Sequence, residues 1–559
     1  MASWRKPFSS RAAAVTIAEI DPGEYSDGSL KYVGERGGND APLTYQEASG
    51  APVENDSPLG YSVGPVTIVL LNVTYMIGTG IYSTPSAILS GTGSVGLSLI
   101  YWTLGYLLCL ASGAVYLEFT AYFPSRSGSE VVFLEQAFPR PTWFFPTTFA
   151  VQNVILSFGS SNAVGLVFNT KYAYWFSNAV GVVKVLTILF VVFTGFAVLG
   201  GHTSVEDPKA NFRNAFEGAS SATGYGLTNA LYRIIFSYGG YNGAFNLVNE
   251  VKNPVRTLKI HATSALTIVY VLYMFANVAW LSAVTKDELQ NSGLTVASLF
   301  FTRVFGNTTA VRGINFLIAL SAFGNIMAVL IAASRMIREC GRQGVLPWTN
   351  FWVSTKPFGT PLGPYFIQWF LTALMILALP TGDAFNFVSD LSVLPSAVFN
   401  FAMAIGLYVV RWRRKRANLP ETSFKASHIV IIFNILVQLF LIVMPWYPPA
   451  GGMYAGDVSF WYATYVVTGI GILLACGLYY WTWVYLLPRW RGYRLRQEVL
   501  SLDDGVQTHQ ISRVPVEQLD EWDANHDATG RLRETGITTT QFQEKGDPSE
   551  EISGSEKAV

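Results

Sequence analysis

The stretch NVTYMIGTGIYSTPSAIL, residues 72–89, lies inside a long apolar run and interrupts it with Gly78, Thr79, Gly80 and Pro85. A glycine inside a helix costs about 1 kcal/mol relative to alanine. In a lipid environment a freed backbone group costs several kcal/mol unless something else satisfies it. Such a break therefore marks either a close helix–helix approach or backbone offered to a ligand. One other run is broken in the same way. It reads YRIIFSYGGYNGAFNLVNEVKNP, residues 232–254, with Ser237–Asn242 at its middle. Free N–H groups at the start of a half-helix attract a carboxylate, and free carbonyls at the end of one attract an ammonium. A zwitterionic amino acid matches both. Paired interruptions in corresponding positions are the sequence sign of a transporter site, and close packing through small residues is the competing explanation.

The rest of the chain supports a membrane setting. It has 559 residues, 50% hydrophobic and only 13% charged, against about a quarter charged in soluble domains. Its 37 basic and 37 acidic residues cancel, so nothing points to nucleic acid. Cys109 and Cys476 sit in apolar runs and Cys340 in a basic stretch, with no disulfide, metal or cofactor spacing. A span needs about 20 apolar residues. Eleven runs qualify, at roughly 64–88, 95–122, 143–168, 179–200, 225–249, 258–283, 311–337, 362–380, 385–411, 427–447 and 460–487. The expected organisation is a polar, disordered tail over 1–57, an all-α transmembrane domain over 58–487, and a largely disordered tail over 488–559. No HExxH, GxSxG or P-loop motif favours an enzyme or a primary pump.

Basic residues cluster at Arg126 and Arg140, at Lys252, Arg256 and Lys259, at Arg335, Arg338 and Arg342, at Arg411–Arg416, and at Arg489–Arg496. The positive-inside rule puts these clusters, and both termini, in the cytosol. Two runs separate neighbouring clusters except between Arg140 and Lys252, where there are three. An odd number of crossings cannot return the chain to the same side.

Several polar residues lie within the runs. Lys184, in VGVVKVLTI, is costly in lipid and so is a functional candidate, as a proton carrier or an internal cation, with snorkelling to the span's end as the alternative. Glu118 ends its run and can face the cytosol. Arg233 can snorkel outward or pair with Glu217. Asn153 and Asn325 suit polar packing between helices.

Four motifs in order resemble one family. MIGTGIYSTPSAIL (76–89) is similar to the first helix of the amino acid–polyamine–organocation superfamily, and NAVGVVKVLTILFVVFTGFAVLGG (178–201) to its fifth. SYGGYNGAFNLVNEVKNP (237–254) is similar to its sixth, and SAFGNIMAVLIAASRMIRECGRQGVLPW (321–348) to its eighth helix and the loop after it. The match is best with the L-type amino acid transporter branch, and within it with fungal high-affinity methionine permeases. The resemblance covers about residues 55–490 and implies a leucine-transporter-type fold, with two inverted five-helix repeats followed by two extra helices. It implies proton-coupled uptake of a neutral L-amino acid such as methionine across the plasma membrane, with no cofactor and no metal.

The resemblance also implies roles for particular residues. Ile77, Gly78, Thr79 and Gly80 would receive the substrate carboxylate. Phe236, Ser237 and Tyr238, with Gly239 and Gly240 beside them, would offer carbonyls to its amino group. Phe236 would be the gating aromatic, and Lys184 would serve coupling near the position that sodium takes in sodium-coupled relatives. Tyr241 stands where relatives often carry tryptophan. Tail lysines such as Lys6 and Lys31 would be acceptors for ubiquitin ligase machinery.

Measured against that fold, one helix is short. Thr142 to Asn178 is 37 residues, too few for two spans of ~20 residues and a turn. Third-helix-like sequence passes into fifth-helix-like sequence near Val167–Thr170. The expectation is that the family's fourth helix is missing. A non-transporting sensor, or an inactive splice or gene-model product, is therefore the alternative reading.

Overall fold

The computed structural model describes residues 32–35, 43–47, 61, 63–157, 170–203, 205–291, 296–306, 308–356, 360–378, 384–501, 507–526 and 530–532. Lys6, Lys31 and the junction at Val167 lie outside the described residues.

The described parts of the apolar runs are helical. The first run forms α1 (Pro65–Met76) and α2 (Gly80–Thr92), bent by 48° at the Ile77–Thr79 break. Then follow α3 (Val95–Tyr122), α4 (Glu130–Ala137), α5 (Phe144–Ile155), α6 (Thr170–Leu199), the short α7 (Ala210–Arg213) and α8 (Gly224–Tyr238). After a 3-10 segment at Gly243–Glu250 come α9 (Pro254–Ala283), α10 (Lys286–Asn291), α11 (Val296–Phe305), α12 (Thr308–Arg342) and α13 (Thr349–Val353). The last large helices are α14 (Leu362–Ala378), α15 (Ala384–Arg416), α16 (His428–Val443) and α17 (Thr464–Trp481). Local chemistry sets their ends. The Ser94 Oγ accepts from Leu97 N–H at 3.3 Å to cap α3, and α3 stops at Phe123, just before Pro124. Pro254 opens α9, where its missing N–H costs nothing.

Among the described residues, 7 helices are long and apolar enough to cross a membrane, and the α1–α2 pair makes 8. The runs at 143–168, 225–249 and 362–380 carry the shorter helices α5, α8 and α14.

The two broken helices lie antiparallel and meet break to break. A Cβ on Gly91, near the end of α2, would lie 2.3 Å from the Gly226 carbonyl oxygen at the start of α8. A Cβ on Gly80, at the start of α2, would lie 3.0 Å from Ser237 Cα near the end of α8. Small residues thus let the backbones touch along the whole contact. α6, α9 and α12 pack around α1.

One end of the bundle gathers the basic clusters. There Arg126 lies between Glu135 (2.6 Å) and Glu339 (2.9 Å), and Arg335 pairs with Glu250 at 3.0 Å. Arg411 pairs with Glu118 at 2.6 Å. Glu118 therefore does not face the cytosol. It is fully buried, and it also accepts from Ala426 N–H at 2.6 Å. The cationic partner on α15 is what makes burying this carboxylate tolerable.

The described parts of both tails include two hairpins. β1 (Tyr32–Glu35) pairs antiparallel with β2 (Thr44–Glu47). This hairpin is docked on the basic end: Gln136 Oε1 accepts from Glu47 N–H at 2.8 Å, Gln46 Oε1 from Arg126, and the Tyr45 carbonyl from Arg414 at 2.8 Å. Glu47 also pairs with Arg413. β3 (Tyr493–Ser501) pairs with β4 (Gln507–Pro515), and Thr508 Oγ1 donates to the Arg342 carbonyl at 3.3 Å. A lone hairpin is marginal in water. These two borrow a partner surface, which composition does not reveal.

Candidate functional site

A helix end leaves its last carbonyls without intrahelical donors. At the end of α1 four side chains from three other helices supply them. Lys184 Nζ on α6 donates to the Thr74 carbonyl at 2.7 Å and to the Ile77 carbonyl at 2.5 Å. Asn325 Nδ2 on α12 donates to the Tyr75 carbonyl. Tyr273 OH on α9 lies 2.8 Å from the Met76 carbonyl, and Ser321 Oγ lies 3.5 Å from that of Ile77. Lys184 is thus buried at the negative end of a helix dipole. It does not snorkel.

The donors across the break are treated differently. No backbone carbonyl accepts from Thr79, Gly80 or Ile81 N–H among the described residues. These three N–H groups begin α2, where a helix start favours an anion. Thr79 keeps partial exposure.

At the second break, the Phe236 carbonyl accepts from Gly239 N–H at 3.1 Å and the Tyr238 carbonyl from Tyr241 N–H at 3.4 Å. The Ser237 carbonyl lies 3.0 Å from Tyr273 OH, whose one hydrogen is shared between this carbonyl and that of Met76. Each carbonyl has a second lone pair for an ammonium. Tyr273 spans both breaks, reaching the Met76 and Ser237 carbonyls with one hydroxyl. Thr84 Oγ1 and Ser237 Oγ lie 2.8 Å apart and tie α2 to α8. Asn72 ties α1 to the far side of the second break, donating to the Tyr241 carbonyl (3.2 Å) and accepting from Ala244 N–H (3.0 Å). Phe236 is half-buried and Tyr238 is fully buried.

The glycines have packing reasons as well. A Cβ on Gly78 would lie 2.9 Å from the Asn325 side chain, and one on Gly240 2.4 Å from the Tyr75 ring. Gly240 also has φ +104°, which L side chains rarely adopt. Close packing and exposed backbone are two aspects of one arrangement here, not rivals.

Arg233 departs from its expected place. It neither snorkels nor meets Glu217. It is buried, 2.5 Å from Asp457, 3.3 Å from Asp390 and 2.5 Å from Ser389 Oγ. Asp457 comes from the loop before α17 and also accepts from Tyr225 OH at 3.1 Å. The guanidinium beside it holds the Asp457 carboxyl below the usual range even though burial opposes this. Asp390, like Lys184, is a charge inside an apolar run, and that signal points to it. Tyr273 and Ser321 look like ordinary residues of their helices, and nothing in the sequence singles them out.

Two antiparallel broken helices with a free N–H cluster at one break are a transporter's architecture, and comparison with known proteins agrees. The family model described as amino acid permease matches residues 63–170 and 163–473. The chain belongs to the amino acid permease family. The high-affinity methionine permease of Saccharomyces cerevisiae is 34% identical over 500 residues, covering 83% of this chain and 86% of that protein. The low-affinity methionine permease of the same yeast is 26% identical, covering 86% and 94%. The b(0,+)-type amino acid transporter 1 of Mus musculus is 27% identical, covering 68% and 82%. With its long apolar helices, this permease-family chain is an integral membrane protein of the fold that the motifs imply.

Proposed function

We propose that this chain is built as a secondary transporter that takes up a neutral L-amino acid such as methionine together with a proton. The observation that carries this reading is the asymmetry at the first break. Its carbonyls are occupied by Lys184, Asn325, Tyr273 and Ser321, while its N–H groups at residues 79–81 are left for a carboxylate. Ile77, Gly78, Thr79 and Gly80 frame that carboxylate. The carbonyls of Phe236, Ser237 and Tyr238, beside Gly239 and Gly240, take the amino group, and Phe236 closes over it. Lys184 serves coupling, since losing its proton would weaken its hold on α1 and change how firmly the break is fixed. The basic end faces the cytosol, in the plasma membrane, and the tail lysines serve a ubiquitin ligase. Uptake of labelled methionine by permease-deficient cells, with a panel of twenty amino acids at two pH values, tests this reading. Uptake that no amino acid supports would overturn it.

A second reading is that the 559-residue chain is an inactive product lacking one crossing. Two observations favour it. α5 starts at the basic end, where the Thr142 carbonyl accepts from Tyr480 OH at 3.0 Å. α6 starts at the same end, where Tyr174 OH lies 2.8 Å from Glu250. Two successive helices leaving the same end need a return crossing between them. Only residues 158–169 separate the described parts. As a helix those twelve would reach ~18 Å, against a ~30 Å hydrocarbon core. The family match also divides at residues 163–170.

A further inference from the structure

Glu130, the first residue of α4, is a buried carboxyl, 8% exposed, with no cation in ion-pair contact among the described residues. The nearby Arg126 is taken by Glu135 and Glu339. Glu130 Oε1 accepts from Tyr116 OH at 2.5 Å and from Asn242 Nδ2 at 2.8 Å, and Oε2 meets Ser129 Oγ. Asn242 belongs to the second break. Ser129 Oγ also lies 2.5 Å from Asn246 Oδ1, in the 3-10 segment beyond that break. Ser129 is held at φ +29°, an uncommon conformation for a residue other than glycine.

One hydroxyl hydrogen is not donated at full strength to two acceptors at once, and a carboxylate takes the larger share. Ser129 has a single O–H, and it stands between Glu130 Oε2 and Asn246 Oδ1. A proton on Glu130 Oε2 resolves the conflict: the carboxyl donates to Ser129 Oγ, and Ser129 donates to Asn246. Without that proton the carboxylate claims the Ser129 hydrogen, and Asn246 loses its donor. We propose that Glu130 is a proton site whose occupancy, relayed through Ser129, clamps the Gly243–Glu250 segment to α4. The proton comes from and returns to water at the basic end. No bond other than O–H forms or breaks.

The surroundings favour the protonated form. The groups facing Glu130 are Tyr116 of α3, Asn400 of α15 through Tyr116, Tyr241 and Asn242 of the break, Tyr75 of α1 and Cys340 of α12. All are neutral, and on its own helix Glu135 is paired with Arg126. Burial among them pushes the carboxyl above its ordinary range, although the Ser129 and Tyr116 hydrogen bonds pull it down. The assignment rests on the transporter reading only for its consequence, that a proton bound here would set the mobility of the substrate-side break.

The test uses the purified full chain and needs no transport. Backbone hydrogen exchange of residues 243–250, corrected for intrinsic rates, should be roughly threefold or more slower at pH 5.5 than at pH 8. Glu130→Gln, whose amide donates as the protonated carboxyl does, should hold the slow rate at both pH values. Ser129→Ala should hold the fast rate at both. Infrared difference spectra between the two pH values should show a protonated-carboxyl band that Glu130→Gln diminishes by one component, leaving that of Glu35. Equal corrected exchange at both pH values in the unmodified chain, which needs no variant to fold, would overturn the proposal. So would a carboxyl band whose intensity is unchanged in Glu130→Gln. Failure of amino acid uptake would instead count against the transporter reading and leave these readouts intact.

Discussion

Lys184 Nζ lies 2.7 Å from the Thr74 carbonyl and 2.5 Å from the Ile77 carbonyl, so one buried ammonium holds both edges of the turn where α1 breaks. An ammonium at a helix C-terminus is favoured by the dipole. It also replaces the hydrogen bonds that the break removes. Lys184→Ala should leave two buried carbonyls without this donor, at about 1–3 kcal/mol each. We expect a lower melting temperature and loss of any pH dependence in methionine binding, with affinity at the optimum pH changed less. A variant that melts and titrates like the unmodified chain would show that the lysine neither holds the break nor couples it.

Tyr273 is the second anchor. Its hydroxyl reaches the Met76 carbonyl at 2.8 Å and the Ser237 carbonyl at 3.0 Å, one from each break. Tyr273→Phe keeps the ring, which packs edge-on against Trp102 with centroids 5.4 Å apart, and removes only the oxygen. The expected cost is about 1–3 kcal/mol of stability, with weaker methionine binding because the two breaks lose their link. Thermal melts and equilibrium binding on purified protein measure both. Binding and melting unchanged together would exclude the bridging role.

Gly80 carries the sharpest substitution. A Cβ there would meet Ser237 Oγ at 2.9 Å and Cα at 3.0 Å. Gly80→Val would push α2 away from α8 and put a branched side chain beside the free N–H groups. Methionine binding should be abolished while the protein still reaches the membrane. Near-normal affinity in this variant would remove residues 77–80 from the carboxylate site.

How much of this was legible beforehand depended on whether a residue's reason is local. The breaks at Gly78–Gly80 and Gly239–Gly240 were visible because glycine pairs are out of place in an apolar helix. Lys184 was visible because a charge is out of place there too. Tyr273, Ser321 and Asn72 were not, since a hydroxyl or an amide in a span is common and only the meeting of α1, α8, α9 and α12 gives each a task. Glu118 and Arg233 were misjudged for the same reason. Their partners Arg411, Asp390 and Asp457 are 293, 157 and 224 residues away in sequence. The hairpins of the tails were hidden because their buried faces exist only against Ser125, Arg126 and α12.

The docked amino-terminal hairpin should respond to pH. Glu35 is buried, accepts from Ser125 N–H at 3.3 Å and from its hydroxyl, and keeps Oε1 without a partner among the described residues. Burial pushes its carboxyl from 4.5 up to about 7, while Ser125, Arg126 and Arg414 pull the other way. A carboxyl raised by docking binds a proton more tightly docked than free. Docking is therefore fully supported below about 4.5 and weakens as pH rises through about 7. Between pH 8 and pH 6 the docking equilibrium should shift about tenfold toward the docked hairpin. Hydrogen exchange of residues 32–35 and 44–47 at the two pH values, corrected for intrinsic rates, reads this shift. Glu35→Gln should stay docked at both. The same pH response in the variant as in the unmodified chain would assign the effect to another group.

The last prediction concerns the crossing between α5 and α6. The Tyr480 bond to Thr142 and the Tyr174 bond to Glu250 fix the starts of both helices at the basic end. Residues 158–169 are too few for a span and its turns. The family match is split at residues 163–170, beside the Val167–Thr170 junction. A relative with the whole fold would carry roughly thirty more residues there, enough for one helix of ~20 residues and its loops. Without them, α5 or α6 must either insert against its flanking charges or leave apolar surface uncovered, and the first repeat lacks a helix beside the break. We expect sequencing of the transcript across the codons for Val167–Thr170 to recover a longer form. In permease-deficient cells the longer form should take up methionine, and the 559-residue form should do so at least roughly tenfold more slowly, the equivalent of ~1.4 kcal/mol or more on the transport barrier. Equal uptake by the 559-residue chain, with no longer transcript found, would show that this permease completes its fold without the return crossing.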